Sequence, residues 1–511
     1  MIFKVTMLVV FFAVMVFIGF YCRKNATDVN GFVLAGRSVG PWLTAFAYGT
    51  SYFSAVVFVG YAGQFGWKYG IASTWIGLGN AVIGSMLAWM VLGRRTRIMT
   101  QHFNSATMPE FFGARFESAP LKIGASIIVF IFLIPYTASL YNGLSRLFGM
   151  AFSIDYTVCI ILMAILTGVY VIAGGYMATA INDFIQGIIM LFGICAVIAA
   201  VLKSNGGFMV AINSLAMAED ATTTQPGAFA SFFGPDPVNL LGVVILTSLG
   251  TWGLPQMVQK FYAIKNENAI QKGTVISTFF AIVVSGGCYF LGGFSRLYHA
   301  NIDIEANGYD SVIPTMLENL SPLLIGMVVI LVLSASMSTL SSLVMASSST
   351  LTIDVLKDNL IKKMDEKKQL LWIRMLIVIF IAISAVIAII QYKSAITFIA
   401  QLMGVSWGAL AGSFLAPFLY SLYWKKVSKA SVWVSFIFGS GFMTLNMLVR
   451  NSFPPLLQSP INAGAFTMLA GFIIVPSVSA FTKKPDKKLV NDAFASYNEV
   501  HEVKRSTALE N

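Results

Sequence analysis

Apolar runs long enough to cross a bilayer recur along this chain, separated by short polar breaks. About 20 apolar helical residues span a hydrocarbon core about 30 Å thick. The pattern predicts 13 runs, at roughly 4–22, 40–64, 72–93, 123–145, 154–174, 183–202, 238–257, 274–295, 321–350, 372–391, 395–422, 431–448 and 463–481. Three connecting loops are longer than the rest. Residues 94–121 carry FNSATMPEFFGARFES, which predicts a short interfacial helix. Residues 203–239 are polar, and residues 293–320 lean acidic, a solvated loop that would modestly concentrate cations at an outer mouth.

Two spans are interrupted. The second has Gly49, Thr50, Ser51 and Tyr52 near its middle, and the seventh has Gly250, Thr251, Gly253 and Pro255. Glycine and proline break a membrane helix where it lines a cavity. Either break alone could be a kink or small-residue packing. Paired breaks in corresponding positions of two halves point to a transporter with inverted repeats. They lie five spans apart, and an odd repeat length forces opposite orientation. The repeats would be spans 2–6 (about 40–202) and 7–11 (about 238–422), with one extra helix before and two after.

The ninth span ends in LSASMSTLSSLVMASSSTL, residues 333–351. Lipid has no use for so many hydroxyls, so this helix faces protein, water or an ion. Ser338, Ser341 and Ser342 share a helical face, with Thr339 on its edge. Neutral hydroxyls beside carbonyls freed by the break at 50–54 suit a small monovalent cation, whereas Ca²⁺ or Mg²⁺ would want carboxylates. Interhelical packing is the competing account, and it is preferred for Ser347, Ser348 and Ser349 near the inside surface. Ser334 and Ser336 receive no role. Asp183, in GGYMATAINDFIQG, reads equally as a functional intramembrane acid or as a helix N-terminal acid stabilised by the macrodipole.

Composition agrees with the pattern. The chain is 57% hydrophobic and 11% charged over 511 residues, against about 25% charged in soluble proteins. Residues 1–481 form the membrane domain and 482–511 a partly disordered cytoplasmic tail. The net charge of +11 reflects the positive-inside rule rather than nucleic-acid binding. With the N-terminus outside, 26 of the 33 Lys and Arg fall in inside segments and 7 in outside ones. The first span has no small-residue cleavage pattern and is followed by Arg23 and Lys24, so it is read as a retained helix. Cys22, Cys159, Cys195 and Cys288 are scattered packing residues. The three histidines, His102, His299 and His501, lie outside the spans without metal or nucleophile spacing, so an enzyme is not expected.

GGYMATAINDFIQG, MSTLSSLVMASSSTLTIDVLK, GLPQMVQKFYAIKN and WGALAGSFLAPFLYSLYWKKVS resemble the sodium:solute symporter family, in the family's order and over nearly the whole chain. The resemblance implies an all-α LeuT-like fold and sodium-coupled import of a small solute by alternating access, in the plasma membrane, with no obligate protein partner. It implies a sodium site on carbonyls of Thr50, Phe53 and Ala335 and hydroxyls of Ser338 and Thr339. In some members a second sodium rests on positions matching Asp183, Ser338, Ser341 and Ser342. The implied solute pocket is lined by Tyr52, Ser54, Tyr136, Thr247, Thr251 and Trp252. Proline carriers place an acid at the position of Tyr52. YFSAVVFVGYAGQFGWKYG is closer to the pantothenate and monocarboxylate branches, and a carboxylate or amino-acid-like solute is expected. Span 4 lacks the arginine of sialic acid carriers, and span 2 lacks the polar groups of glucose carriers. A sugar, sialic acid or inorganic anion is the alternative substrate. A passive channel would read as a symmetric pore, and a transporter-like sensor would carry large soluble domains.

Overall fold

The computed structural model describes residues 2–152, 155–218, 225–361, 364–394 and 399–498. The architecture is all-α. Among these residues the one β-type pairing is an isolated bridge between Val39 and Ile264. The main helices are α1 (Ile2–Cys22), α2 (Pro41–Tyr52), α3 (Val56–His102), α4 (Met108–Arg115), α5 (Ala119–Phe152) and α6 (Tyr156–Ser204). They continue as α7 (Pro237–Gly253), α8 (Pro255–Ala263), α9 (Glu267–Gly293), α10 (Pro322–Thr350) and α11 (Glu366–Ser394). The last four are α12 (Ile399–Tyr423), α13 (Lys429–Leu448), α14 (Pro460–Phe481) and α15 (Lys487–Ala495).

Nine helices are long and apolar enough to cross a membrane among the described residues, and the bent pair α7 and α8 makes a tenth. Two of the nine are divided by a glycine in the left-handed region, Gly70 (φ 60°) in α3 and Gly175 (φ 58°) in α6. A side chain is strained at such an angle, and glycine is not. The Gly175 break moves an expected boundary. The helix carrying Asp183 begins at 176, so Asp183 stands two turns inside it. The macrodipole acts within the first turn, and the N-terminal account of Asp183 is thereby withdrawn.

Both interruptions have local causes. After α2 the chain turns extended at Phe53 (φ −106°, ψ 118°). The Ser54 hydroxyl then accepts from the Val56 amide at 3.2 Å, and its carbonyl accepts from Phe58 at 3.0 Å, so Ser54 caps the helix that resumes. The second break falls at Leu254 (φ −83°, ψ 121°), and α7 and α8 meet at 45°. A residue before proline is pushed out of the α region, and a proline at the first helical turn loses no hydrogen bond. Leu254–Pro255 meets both conditions.

Helices α10 and α12 form the centre. Residues 328–350 of α10 are all buried, and 94% of the apolar stretch of α12 is buried. By contrast α6 shows lipid-type side chains outward, such as Ile165 and Phe192. The stretch expected to form a short interfacial helix holds α4, with Thr107 capping the amide of Glu110 and Phe111 and Phe112 buried against the bundle. On the same side α15 packs back onto the bundle. Tyr497 donates to the Leu422 carbonyl at 3.1 Å, and Arg94 donates to the Tyr497 carbonyl at 3.1 Å. Arg115 is buried between the rings of Phe116 and Phe494, and that burial pushes its guanidinium down to about 10. Residues 499–511, the rest of the expected tail, lie outside the described residues.

Candidate functional site

The break after α2 lies against the hydroxyl-rich middle of α10. The Ser338 hydroxyl donates to the Thr50 carbonyl at 3.0 Å and lies 3.1 Å from the Ala335 carbonyl. The Thr339 hydroxyl lies 3.2 Å from the Thr50 carbonyl, 3.0 Å from that of Ala335 and 3.4 Å from that of Ser51. Thr50, Ser338 and Thr339 are fully buried. Four uncharged oxygens from two elements thus converge. Each hydroxyl has one proton and two or three carbonyls to serve, so the cluster is richer in acceptors than donors. That is the donor set of a hard monovalent cation. Phe53 takes the extended conformation that ends α2, and the Ser51 carbonyl joins this group in addition.

The expected second group behaves differently. The Ser341 hydroxyl turns back to the Ser338 carbonyl at 2.8 Å. The Ser342 hydroxyl meets the Ser51 hydroxyl at 2.8 Å and accepts from the Lys260 ammonium at 2.9 Å. Among the described residues neither Asp183 carboxylate oxygen has a hydrogen-bond partner, although the residue is buried. Lys260 is its charged neighbour, and the ammonium lies 5.1 Å from the Tyr176 ring centre. Lys260 lies beyond the seventh predicted run, which ends near residue 257. It nonetheless sits within α8 with 2% exposure. Its signal was a cation five residues after a helix-starting proline, inside a stretch that continues the span.

The expected solute-lining residues divide into two sets. Tyr52 donates to the Thr247 carbonyl at 2.5 Å and stacks on Trp407 of α12 at 6.0 Å. Tyr136 meets the same indole edge-on at 5.8 Å. Its hydroxyl faces Ser54 and Trp407 but forms no hydrogen bond at bonding geometry, and neither does the Trp407 N–H. Both are fully buried. The Tyr136 hydroxyl, the Trp407 N–H and Ser54 thus cluster at one buried place, where a solute acceptor would meet two donors. Trp407 was missed in the sequence, where GVSWGAL offers only a lone aromatic among small residues.

Thr247, Thr251 and Trp252 are already engaged. Thr247 donates back to Val243 at 2.9 Å. Thr251 donates to the Gly84 carbonyl and Trp252 to the Ile83 carbonyl, each at 3.0 Å. Tyr48 also donates to Gly84, at 2.7 Å. The segment Asn80–Leu87 is wound as a π-helix, which removes carbonyls from the ordinary ladder and frees them for side chains. Thr251 and Trp252 thereby tie α7 to α3, whereas the Thr247 hydroxyl bonds within its own helix.

The sodium:solute symporter family model matches residues 32–439. The chain belongs to the sodium:solute symporter family. This symporter is 28% identical over 482 residues to the osmoregulated proline transporter OpuE of Bacillus subtilis, covering 94% of each chain. It is 30% identical over 499 residues to the sodium/proline symporter of Staphylococcus aureus (strain JH9), covering 94% of this chain and 93% of the relative. A solved Na⁺-coupled sialic acid symporter, in a substrate-bound outward-open state, superposes with a TM-score of 0.73 at 15% identity. The superposition covers 94% of this chain and 98% of that one. The fold is LeuT-like, and the protein is an integral membrane transporter that couples a small solute to sodium.

Proposed function

We propose that the symporter imports a small carboxylate or amino-acid-like solute with one sodium ion. The reading rests on the contact of the Ser338 and Thr339 hydroxyls with the Thr50 carbonyl across the broken helix. Sodium bound by Thr50, Phe53, Ala335, Ser338 and Thr339 would tie α2 to α10. Ordering that break also orders Ser54 and Tyr52, so ion and solute bind with positive coupling, and each raises the other's affinity equally.

Lys260 supports a count of one ion. Its ammonium already meets Ser342 beside Asp183, where a second sodium would have to sit. Tyr136 and Trp407 support a carboxylate, because their O–H and N–H meet at one buried place with no other hydrogen bond at bonding geometry among the described residues. The adjoining start of the α3 helix adds backbone amides. The proline transport of relatives at 28–30% identity supports the same class. Dividing α3 at Gly70 and α6 at Gly175, joining α2 to the first part of α3, and counting α1 gives thirteen crossings. The charge asymmetry supports an outside N-terminus and a cytoplasmic C-terminus in the plasma membrane.

Proteoliposomes test the reading. Uptake of labelled proline, pantothenate and short monocarboxylates is measured with and without an inward sodium gradient. Uphill uptake of one of them only with the gradient is expected. Gradient-independent equilibration would indicate a channel and overturn the proposal. Uphill uptake of a sugar or inorganic anion alone would overturn the substrate class.

A further inference from the structure

A cavity of about 630 Å³ opens on the outer face of the bundle between α1, the first half of α6 and α11. Its wall is almost wholly apolar, and small residues (Ala164, Gly168, Ala382, Ala385) hollow it out. Neighbouring Ile161, Ile165 and Val378 are exposed at its rim. An exposed apolar groove on a membrane protein faces acyl chains. This one has an address as well, because Arg23 and Arg374 line one end.

The two guanidinium groups are neighbours of like charge. Neither is recorded in an ion pair or a side-chain hydrogen bond among the described residues, and the Arg374 Nε is buried without a partner. The Phe32 ring lies 5.5 Å from the Arg374 guanidinium and holds it in place. Arg374 is half-buried and Arg23 exposed beside it, and an anion bridging the two would relieve their mutual repulsion. The length of the groove is informative too. Arg374 and Ala385 are eleven residues apart on α11, about 16 Å of helix. That is half of a hydrocarbon core about 30 Å thick. By the charge asymmetry the arginine end is the cytoplasmic end, where basic pockets between membrane helices take anionic headgroups.

We infer that this groove binds one anionic phospholipid of the inner leaflet, with the phosphate on Arg23 and Arg374 and an acyl chain along Ala164, Gly168 and Ala382. Each arginine is expected to be worth about five-fold in affinity, and the pair about 25-fold.

Native mass spectrometry of the full-length transporter tests this, after reconstitution in equal phosphatidylglycerol and phosphatidylcholine and extraction in mild detergent. The wild type is expected to retain one phosphatidylglycerol in preference to phosphatidylcholine. The variant R23Q/R374Q is expected to lose that preference, and A382F, which fills the groove but keeps both arginines, is expected to lose the bound lipid. Excess inorganic phosphate should not displace the lipid. Equal retention of both lipids by the wild type would overturn the inference, as would an unchanged adduct in either variant. Displacement by phosphate would assign the arginines to a free anion instead. Should R23Q/R374Q fail to fold, A382F alone decides.

Discussion

Two neighbouring polar places on α10 differ in where their positive charge comes from. Around Thr50, Ser338 and Thr339 four oxygens converge with no formal charge among them. About one helical turn further along, Ser342 meets the Lys260 ammonium, with Asp183 as its charged neighbour. As proposed, the first arrangement takes a diffusible cation, and the second holds one covalently. A neutral cradle binds an ion weakly enough to release it, whereas a tethered ammonium never leaves. The difference suggests why hydroxyls so similar in sequence should differ in what they couple.

The largest effect is expected at Lys260. Lys260→Met would leave Asp183 buried without its charged neighbour, and burying a charge without compensation is costly. Lys260→Met should therefore unfold at a much lower temperature in sodium-free buffer, with sodium restoring a large part of the loss. Asp183→Asn combined with Lys260→Met should recover stability without sodium. Thermal unfolding in detergent across a sodium series reads this, and indifference of the single variant to sodium would refute the tethered-cation account. Next come Ser338→Ala and Thr339→Ala. A lost polar contact of about 1–1.5 kcal/mol predicts about a ten-fold rise in the sodium concentration for half-maximal uptake. If both variants kept the wild-type value, the cradle would be wrongly assigned. Trp407→Phe or Tyr136→Phe should raise KM for the solute by about five-fold, the equivalent of one hydrogen bond of about 1 kcal/mol. Smallest of all, Ser341→Ala should leave half-saturation by sodium within about two-fold, because its hydroxyl serves its own helix. A large shift there would return Ser341 to a second ion site and erase the contrast.

Spans and breaks were legible because both are local. Apolar length reports the first, and Leu254–Pro255 or a glycine-rich polar stretch reports the second. Ser338 and Thr339 were legible for a related reason, since a cluster of hydroxyls in an apolar run is anomalous by itself. Lys260 was not legible, because hydropathy assigns a lysine at the end of a span to the loop, and only the tertiary approach of Asp183 explains its burial. Trp407 was hidden by the reverse effect. An indole in an apolar helix is unremarkable until its N–H proves to have no partner. Thr251 and Trp252 were expected to line a solute pocket, and the carbonyls they reach are freed by a π-helical winding that side-chain pattern does not encode.

That winding has a mechanical consequence. The segment Asn80–Leu87 holds its shape partly through three donors on other helices, Tyr48, Thr251 and Trp252. Rewinding it to an α-helix would draw both carbonyls back into its own ladder and strand all three donors at once. Each stranded donor costs about 1–3 kcal/mol, so the segment resists gradual change and favours two alternatives. A stretch of helix that can shift its register by one residue, and is penalised for stopping halfway, is a detent. It lies where both broken helices are fastened, and it would make their movements occur together.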